Sequence, residues 1–168
     1  MNTLKNTTRT IINSFLPVIP LTSALKHSSL YYSIPFIMSE RSETFKKHER
    51  LCSKKAIEAL FEKGISISCY PFYVLWSYSD QDSIKPAKVA ISVSKKLIKS
   101  AVQRNAVKRK IREAYRKKKY ILYDFLTSAG KKINFILIYR ENKVPDYFEI
   151  ERHIDDTIQK LISSIITH

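Results

Sequence analysis

Residues 95–119 read KKLIKSAVQRNAVKRKIREAYRKKK, and the rest of the chain is organised around them. From Lys85 to Lys119 there are fourteen Lys or Arg and one acid, Glu113, a net +13 out of the +15 carried by all 168 residues. Outside this region the charges almost balance. The chain is a near-neutral protein with one concentrated cationic element.

That element reads as a helix. Ser100 followed by Gln103 fits a capping box, in which each side chain satisfies a free backbone N–H. Neither Gly nor Pro follows until Gly130. At ~100° per residue, Val107, Ile111, Ala114 and Tyr115 fall on one arc suited to a core. Arg104, Lys108, Arg112 and Arg116 recur every fourth residue, with Asn105 and Arg109 beside them, and form a flanking cationic stripe. A solvated face is the ordinary reading of a charge run. Surface helices, however, usually interleave Glu with Lys, because like charges at i, i+4 repel. A stripe that forgoes such pairs points to a polyanion as counter-charge, and nucleic-acid phosphate is the commonest one.

The letters are more specific than the charge. Arg104-Asn105, Lys108-Arg109 and Arg112 resemble the R-N-x-x-K-R-x-x-R signature of the bacterial ribonuclease P protein component. The preceding segment, Val89 to Lys96, resembles that family's strand ending in S-K-K, and Arg50-Leu51 with Ile57 to Gly64 resembles its first helix and turn. The three segments stand in family order, and the resemblance runs from about Arg50 to the C-terminus. There are departures. Ala106 stands where the family usually has a base, Lys99-Ser100 replaces a Gly-Asn with one residue inserted before it, and Ile57 takes the place of an aromatic.

An apolar fraction of 44% with ten Tyr and eight Phe is ample for one core. A pI near 9.8 suits an RNA-binding protein. Cys52 and Cys69 have neither metal-ligand spacing nor a disulfide framework around them, and read as reduced thiols. No apolar run approaches the ~20 residues of a membrane span. Residues 1–37 contain no Asp or Glu and carry Pro17, Pro20 and Pro35. They could be a transit-like presequence, a weak secretory signal, or translated sequence upstream of a start at Met38. The third reading is preferred, because a ribonucleoprotein subunit of the cytoplasm is not secreted. Residues 1–38 are accordingly set aside as an unstructured extension, and 39–168 as a single RNA-binding α+β domain.

Within that domain Ser39 to Glu49 reads as a flexible polar arm. Ser53 to Lys63 is a short helix stopped by Gly64. Ile65–Cys69, Phe72–Tyr78 and Ala87–Ser94 alternate as strands. The basic helix follows, with Asp124 to Lys132 as a linker. Ile133–Tyr139 is a nearly all-apolar strand, expected to be central, and Tyr147–Ile166 closes the chain as an amphipathic helix. The order α-β-β-β-α-β-α predicts a four-stranded sheet packed with helices. The resemblance implies the same order and a left-handed crossover through the basic helix, against the usual right-handed preference.

Four groups of residues bear on function. Arg104, Asn105, Lys108, Arg109, Arg112 and Arg116 are expected to grip RNA phosphates, and Lys95 and Lys96 to extend that grip from the strand end. Phe61, Phe72, Trp76 and Tyr78 could line a cleft between the first helix and the sheet. Unstacked bases stack on such rings, and the resemblance implies that the 5′ leader of precursor tRNA runs through this cleft. Plain core packing is the ordinary fate of aromatics on a strand and stands beside that reading. The fourth group is an absence. With only Gly64 and Gly130 there is no phosphate-cradling loop, and the four His are scattered, so no catalytic or metal-binding residue is expected. The resemblance implies a subunit of ribonuclease P whose chemistry belongs to a catalytic RNA and its Mg²⁺ ions. The alternative is a ribosomal or general RNA-binding protein. A DNA-binding protein is weaker still, since no helix-turn-helix partner precedes the basic helix.

Overall fold

The computed structural model describes residues 44–79 and 84–168. The expectations about residues 1–43 and the tip of the loop at 80–83 lie outside them. Three helices, α1 (Lys54–Lys63), α2 (Ala101–Ser128) and α3 (Tyr147–Thr167), accompany four strands, β1 (Ile65–Cys69), β2 (Phe72–Tyr78), β3 (Ala87–Val93) and β4 (Ile133–Tyr139). The sheet order is β1-β2-β4-β3. β1, β2 and β4 pair antiparallel, while β3 and β4 run parallel and are joined through α2. This is the α+β arrangement read from the sequence.

Local chemistry sets the element ends. The Ser53 hydroxyl accepts the Ala56 N–H, and that of Ser100 accepts the Gln103 N–H. Each occupies one of the free donors at a helix start. Gly64 ends α1 because of space: its N–H donates to Leu60 O, and an added Cβ would lie 2.3 Å from that oxygen. Gly130, at φ +62°, turns the chain after α2 in a region that costs Gly nothing.

Strand periodicity divides the sheet into two faces. Phe72, Val74, Trp76, Phe135, Leu137 and Val89 point to one side and pack with α2 and α3 in the main core. Leu75, Ile136, Tyr73, Ala90 and Ile138 point to the other, where α1 covers part of them with Leu60, Ile57 and Ala56. β4 lies between two strands, and six of its seven residues are buried, which accounts for its unbroken apolar sequence.

Two expectations are corrected. α2 continues through Asp124, which had been assigned to a linker, because Leu122 and Leu126 extend the buried arc and are fully inaccessible. The described part of the supposed flexible arm is also anchored. Lys47–Glu49 forms a 3-10 turn, and Glu49 is 1% exposed. Its carboxylate pairs with Lys119, itself 6% exposed, and accepts the Tyr123 hydroxyl at 3.1 Å. The same ammonium reaches Thr44 O. Lys119 thus belongs to the core side of α2, between Tyr115 and Leu122.

Burial alone would raise the Glu49 carboxyl. Hydrogen bonds from Lys119, the Lys46 N–H and Tyr123 outweigh it and hold the group below the ordinary 4.5. A depressed folded-state value contributes stability above the unfolded value and loses it as pH falls through the folded one. Glu49→Gln should cost ~3–5 kcal/mol at neutral pH, because it leaves a buried ammonium unopposed. Glu49→Gln with Lys119→Met should regain most of that loss. Urea melts from neutral pH to about pH 3 should show a shallower acid loss in the double variant than in the wild type. Parallel pH profiles would assign the linkage to another carboxylate.

Candidate RNA interface

The cationic run has two structural fates. Lys110 donates to Pro145 O at 2.6 Å, the Lys117 ammonium lies 5.0 Å from the Tyr147 ring centre, and Lys118 stands 3.8 Å from Asp155. These three, with Lys119, tie α2 to α3, to the loop before it and to the N-terminal segment. Sequence reasoning assigned them no role. Lys119 was detectable, since it falls on the apolar arc four residues after Tyr115. No comparable signal marks the other three.

The stripe itself is divided. The Arg104 Nη1 donates to Ile98 O at 3.0 Å and Lys99 O at 2.7 Å, fastening the loop that enters α2. Arg116 makes a two-pronged contact with Glu113, Nε to Oε2 at 2.9 Å and Nη2 to Oε1 at 2.6 Å. The Arg116 guanidinium holds the Glu113 carboxyl below its usual range, against a smaller opposing effect of burial. Between these two, Asn105 and Arg109 are exposed, and Lys108 and Arg112 are half-buried. Neither Lys108 nor Arg109 has a hydrogen bond or ion pair to any described residue. The Arg112 Nε is buried without a hydrogen-bond partner among the described residues. Asn105, Lys108 and Arg109, with the half-buried Arg112 beside them, thus occupy two turns of α2 without an ion-pair partner among the described residues.

Lys95 and Lys96 are exposed in the turn that leaves β3. The Lys96 N–H donates to the Ser94 hydroxyl at 3.2 Å, Ile98 N–H donates to Ser94 O at 3.1 Å, and the buried Ile98 side chain pins the turn beside α2. The two ammonium groups and the central part of the stripe therefore belong to one continuous piece of chain with fixed ends.

The aromatic cleft needs correction. Phe72 and Trp76 are 1% and 0% exposed, on the sheet face that packs against α2 and α3, away from α1. The Trp76 Nε1 donates to the Ser164 hydroxyl of α3 at 3.2 Å. Tyr78 points to the same side. It is half exposed at the margin, with its hydroxyl on Ile165 O at 3.4 Å and Lys131 over its ring. The physical reason is the period of two: even-numbered residues of β2 face the large core, so only the odd-numbered ones reach the α1 face. Phe61 alone of the four lies on the α1 side, on the helix itself, 58% exposed. The ring that sequence reasoning missed is Tyr73, half-buried on the α1 face of β2, with the Arg140 guanidinium 5.5 Å from its centre. Ser66 and Ser68 of β1 are exposed on that same face. This leaves an incompletely covered strip of sheet, apolar beneath α1 and hydroxyl-bearing towards its β1 edge.

Among the described residues, no cluster of three or more His, Cys, Asp or Glu has a geometry able to hold a metal ion. No described helix is long and apolar enough to cross a membrane.

A family model described as Ribonuclease P matches residues 45–162. The ribonuclease P protein component of Petrotoga mobilis is 33% identical over 122 residues, which cover 71% of this chain and 96% of that protein. Its counterpart in Porphyromonas gingivalis is 29% identical over 119 residues, covering 71% and 87%. Among solved structures, the RNase P protein from Thermotoga maritima superposes with a TM-score of 0.52 at 22% identity, covering 67% of this chain and 96% of that one. The Staphylococcus aureus RNase P protein gives 0.50 at 24% identity, covering 67% and 94%. At such identities the two structures speak for the fold, and the family assignment rests on the sequence matches. With the match spanning residues 45–162, from the buried N-terminal turn to the last helix, the chain belongs to the ribonuclease P protein family.

Proposed function

We propose that this chain is the protein subunit of ribonuclease P, acting in the cytoplasm with a catalytic RNA whose Mg²⁺ ions supply the hydrolysis of the precursor tRNA backbone. The observation that carries this reading is the outward group on α2. Lys108, Arg109 and Arg112 stand on a helix of the matched family without an ion-pair partner among the described residues, next to Lys95 and Lys96. Such a group suits the phosphates of a folded RNA, where each cation releases a condensed counterion. The protein's work is then positioning and charge neutralisation. Asn105 adds a neutral donor and acceptor at the same surface.

The 5′ leader is assigned to the opposite side of the sheet. A single strand offers both phosphates and unstacked bases, and the α1 face offers two rings, Phe61 and Tyr73, with the hydroxyls of Ser66 and Ser68 beside them. Base–aromatic stacking tolerates any sequence because every base has a π-face. That tolerance suits an enzyme that must accept many leaders.

Three measurements test this reading. Residues 39–168 combined with a bacterial ribonuclease P RNA at low Mg²⁺ should release the leader only when protein is present. RNA-only rates in both samples would favour a general RNA-binding protein. Replacing Lys108, Arg109 and Arg112 together by Gln should weaken binding to that RNA and reduce the slope of log K against log salt by ~0.7–0.9 per lost contact. The fold should survive, since none of the three lies on the fully buried arc. An unchanged slope in a folded variant returns the helix to a solvated surface. Phe61→Ala and Tyr73→Ala should each lower affinity for leader-bearing precursor by ~1–3 kcal/mol while leaving mature tRNA unaffected. Trp76→Ala should instead cost ~3–5 kcal/mol of stability, with precursor and mature tRNA affected alike. Equal losses for both tRNAs in folded Phe61 and Tyr73 variants would move the leader elsewhere.

A further inference from the structure

Lys46 and Lys47 fall with Glu49 in the segment that the sequence reads as a flexible polar arm, and Arg50 enters there only through the family resemblance. Folding changes that balance. Glu49 turns inward and is neutralised by Lys119, so the carboxylate is withdrawn from the outside of the segment, where Lys46, Lys47 and Arg50 are all exposed.

The segment is also fixed in place. The Phe45 ring meets Tyr115 of α2 edge-on at 6.0 Å between centres, Lys119 holds Thr44 O, and Leu51 N–H donates to Val89 O at 2.9 Å. Arg50 forms an isolated parallel bridge with Val89 on the outer side of β3, and its guanidinium lies 5.6 Å from the Phe45 ring centre. Glu49 reaches α2 on one side of the sheet, whereas Leu51 packs under α1 on the other. The chain therefore crosses the sheet edge at Arg50. At ~1.5 Å of rise per residue, Arg112 lies about 10 Å along α2 from Lys119 and about 5 Å from Tyr115. The anchored segment thus begins where the outward part of the stripe ends.

We infer that residues 44–50 form a second phosphate-binding element, a ridge along the β3 edge that joins the α2 stripe to the α1 face. Its ligand is the RNA backbone. Lys46, Lys47 and Arg50 contact phosphates, and the buried Glu49–Lys119 pair keeps that ridge free of negative charge. Cations on a docked segment need little further ordering when they bind, unlike those on a loose arm. The inference rests on the proposed function for its choice of RNA, but it concerns residues outside the α2 stripe.

The test compares three triple variants of the full chain, each removing three positive charges. One carries Lys46→Gln, Lys47→Gln and Arg50→Gln. The second is the α2 variant at Lys108, Arg109 and Arg112. The third carries Lys143→Gln, Arg152→Gln and Lys160→Gln, on α3 and the loop before it. Thermal melts establish that each is folded, and affinity for a bacterial ribonuclease P RNA is measured from about 50 to 200 mM salt. The expected result is a slope lower by about 2–3 for the ridge variant, from three contacts at ~0.7–0.9 each, with little change for the α3 variant. Equal falls in the ridge and α3 variants would reduce the effect to overall charge and overturn the inference. An unchanged ridge variant beside a weakened α2 variant overturns it too, and leaves the proposed function standing. No change in any of the three would overturn both.

Discussion

A helix with nine Lys or Arg among residues 101–119 has to be held against an apolar sheet, and the burial of its other face is what holds it. Val107, Ile111, Ala114, Tyr115, Leu122 and Leu126 are all fully inaccessible and lie against sheet residues and α3. Burial of a large apolar side chain contributes roughly 1.5–3 kcal/mol, whereas repulsion between like charges at i, i+4 costs only tenths. The balance favours the packed helix by a wide margin. It also explains the length of α2. The buried arc begins inside the charged segment at Val107 and runs on through Leu122 and Leu126, so the helix is held to the core along most of its length to Ser128.

Packing then decides which charges are available outside. Cations on the flanks of the buried arc find partners within the fold: Lys119 with Glu49 and Thr44, Lys118 with Asp155, Lys110 with Pro145 O, and Arg116 with Glu113. Lys108, Arg109 and Arg112, which lie between Arg104 and Arg116 along the helix, have no ion-pair partner among the described residues. A count of charge therefore overstates the surface that an RNA would meet, and position around the helix matters more than number.

Much of this was legible in advance, for a physical reason. Strand boundaries and the α2 arc follow from periods of two and 3.6, which local sequence carries directly. The strands β1, β2 and β4 fall where alternation and apolar runs placed them. What escaped was anything fixed by a partner distant in sequence. Alternation grouped Phe72, Val74, Trp76 and Tyr78 on one face, but it cannot say which face receives α1, and of the two readings left open core packing is the one that Phe72 and Trp76 take. Tyr73 was overlooked for the same reason. Glu49 looked like one more charge in a polar arm because Lys119, seventy residues on, is what makes it internal. Gly64 was rightly taken as a helix stop, although its reason is the closeness of Leu60 O.

Trp76 is the chain's sole tryptophan, and its place in the core has a spectroscopic consequence. Its indole lies on the α2/α3 side of the sheet, edge-on to Tyr78 at 5.2 Å and hydrogen-bonded to Ser164. A buried indole with its N–H satisfied is sensitive to the packing around it. Intrinsic emission excited at the indole band therefore monitors how α3 sits on the sheet. Quenching by a base stacked on the α1 face would have to act through the thickness of the sheet. Folding and RNA engagement can accordingly be followed in one sample by separate signals, the first from this indole and the second from a label on the nucleic acid.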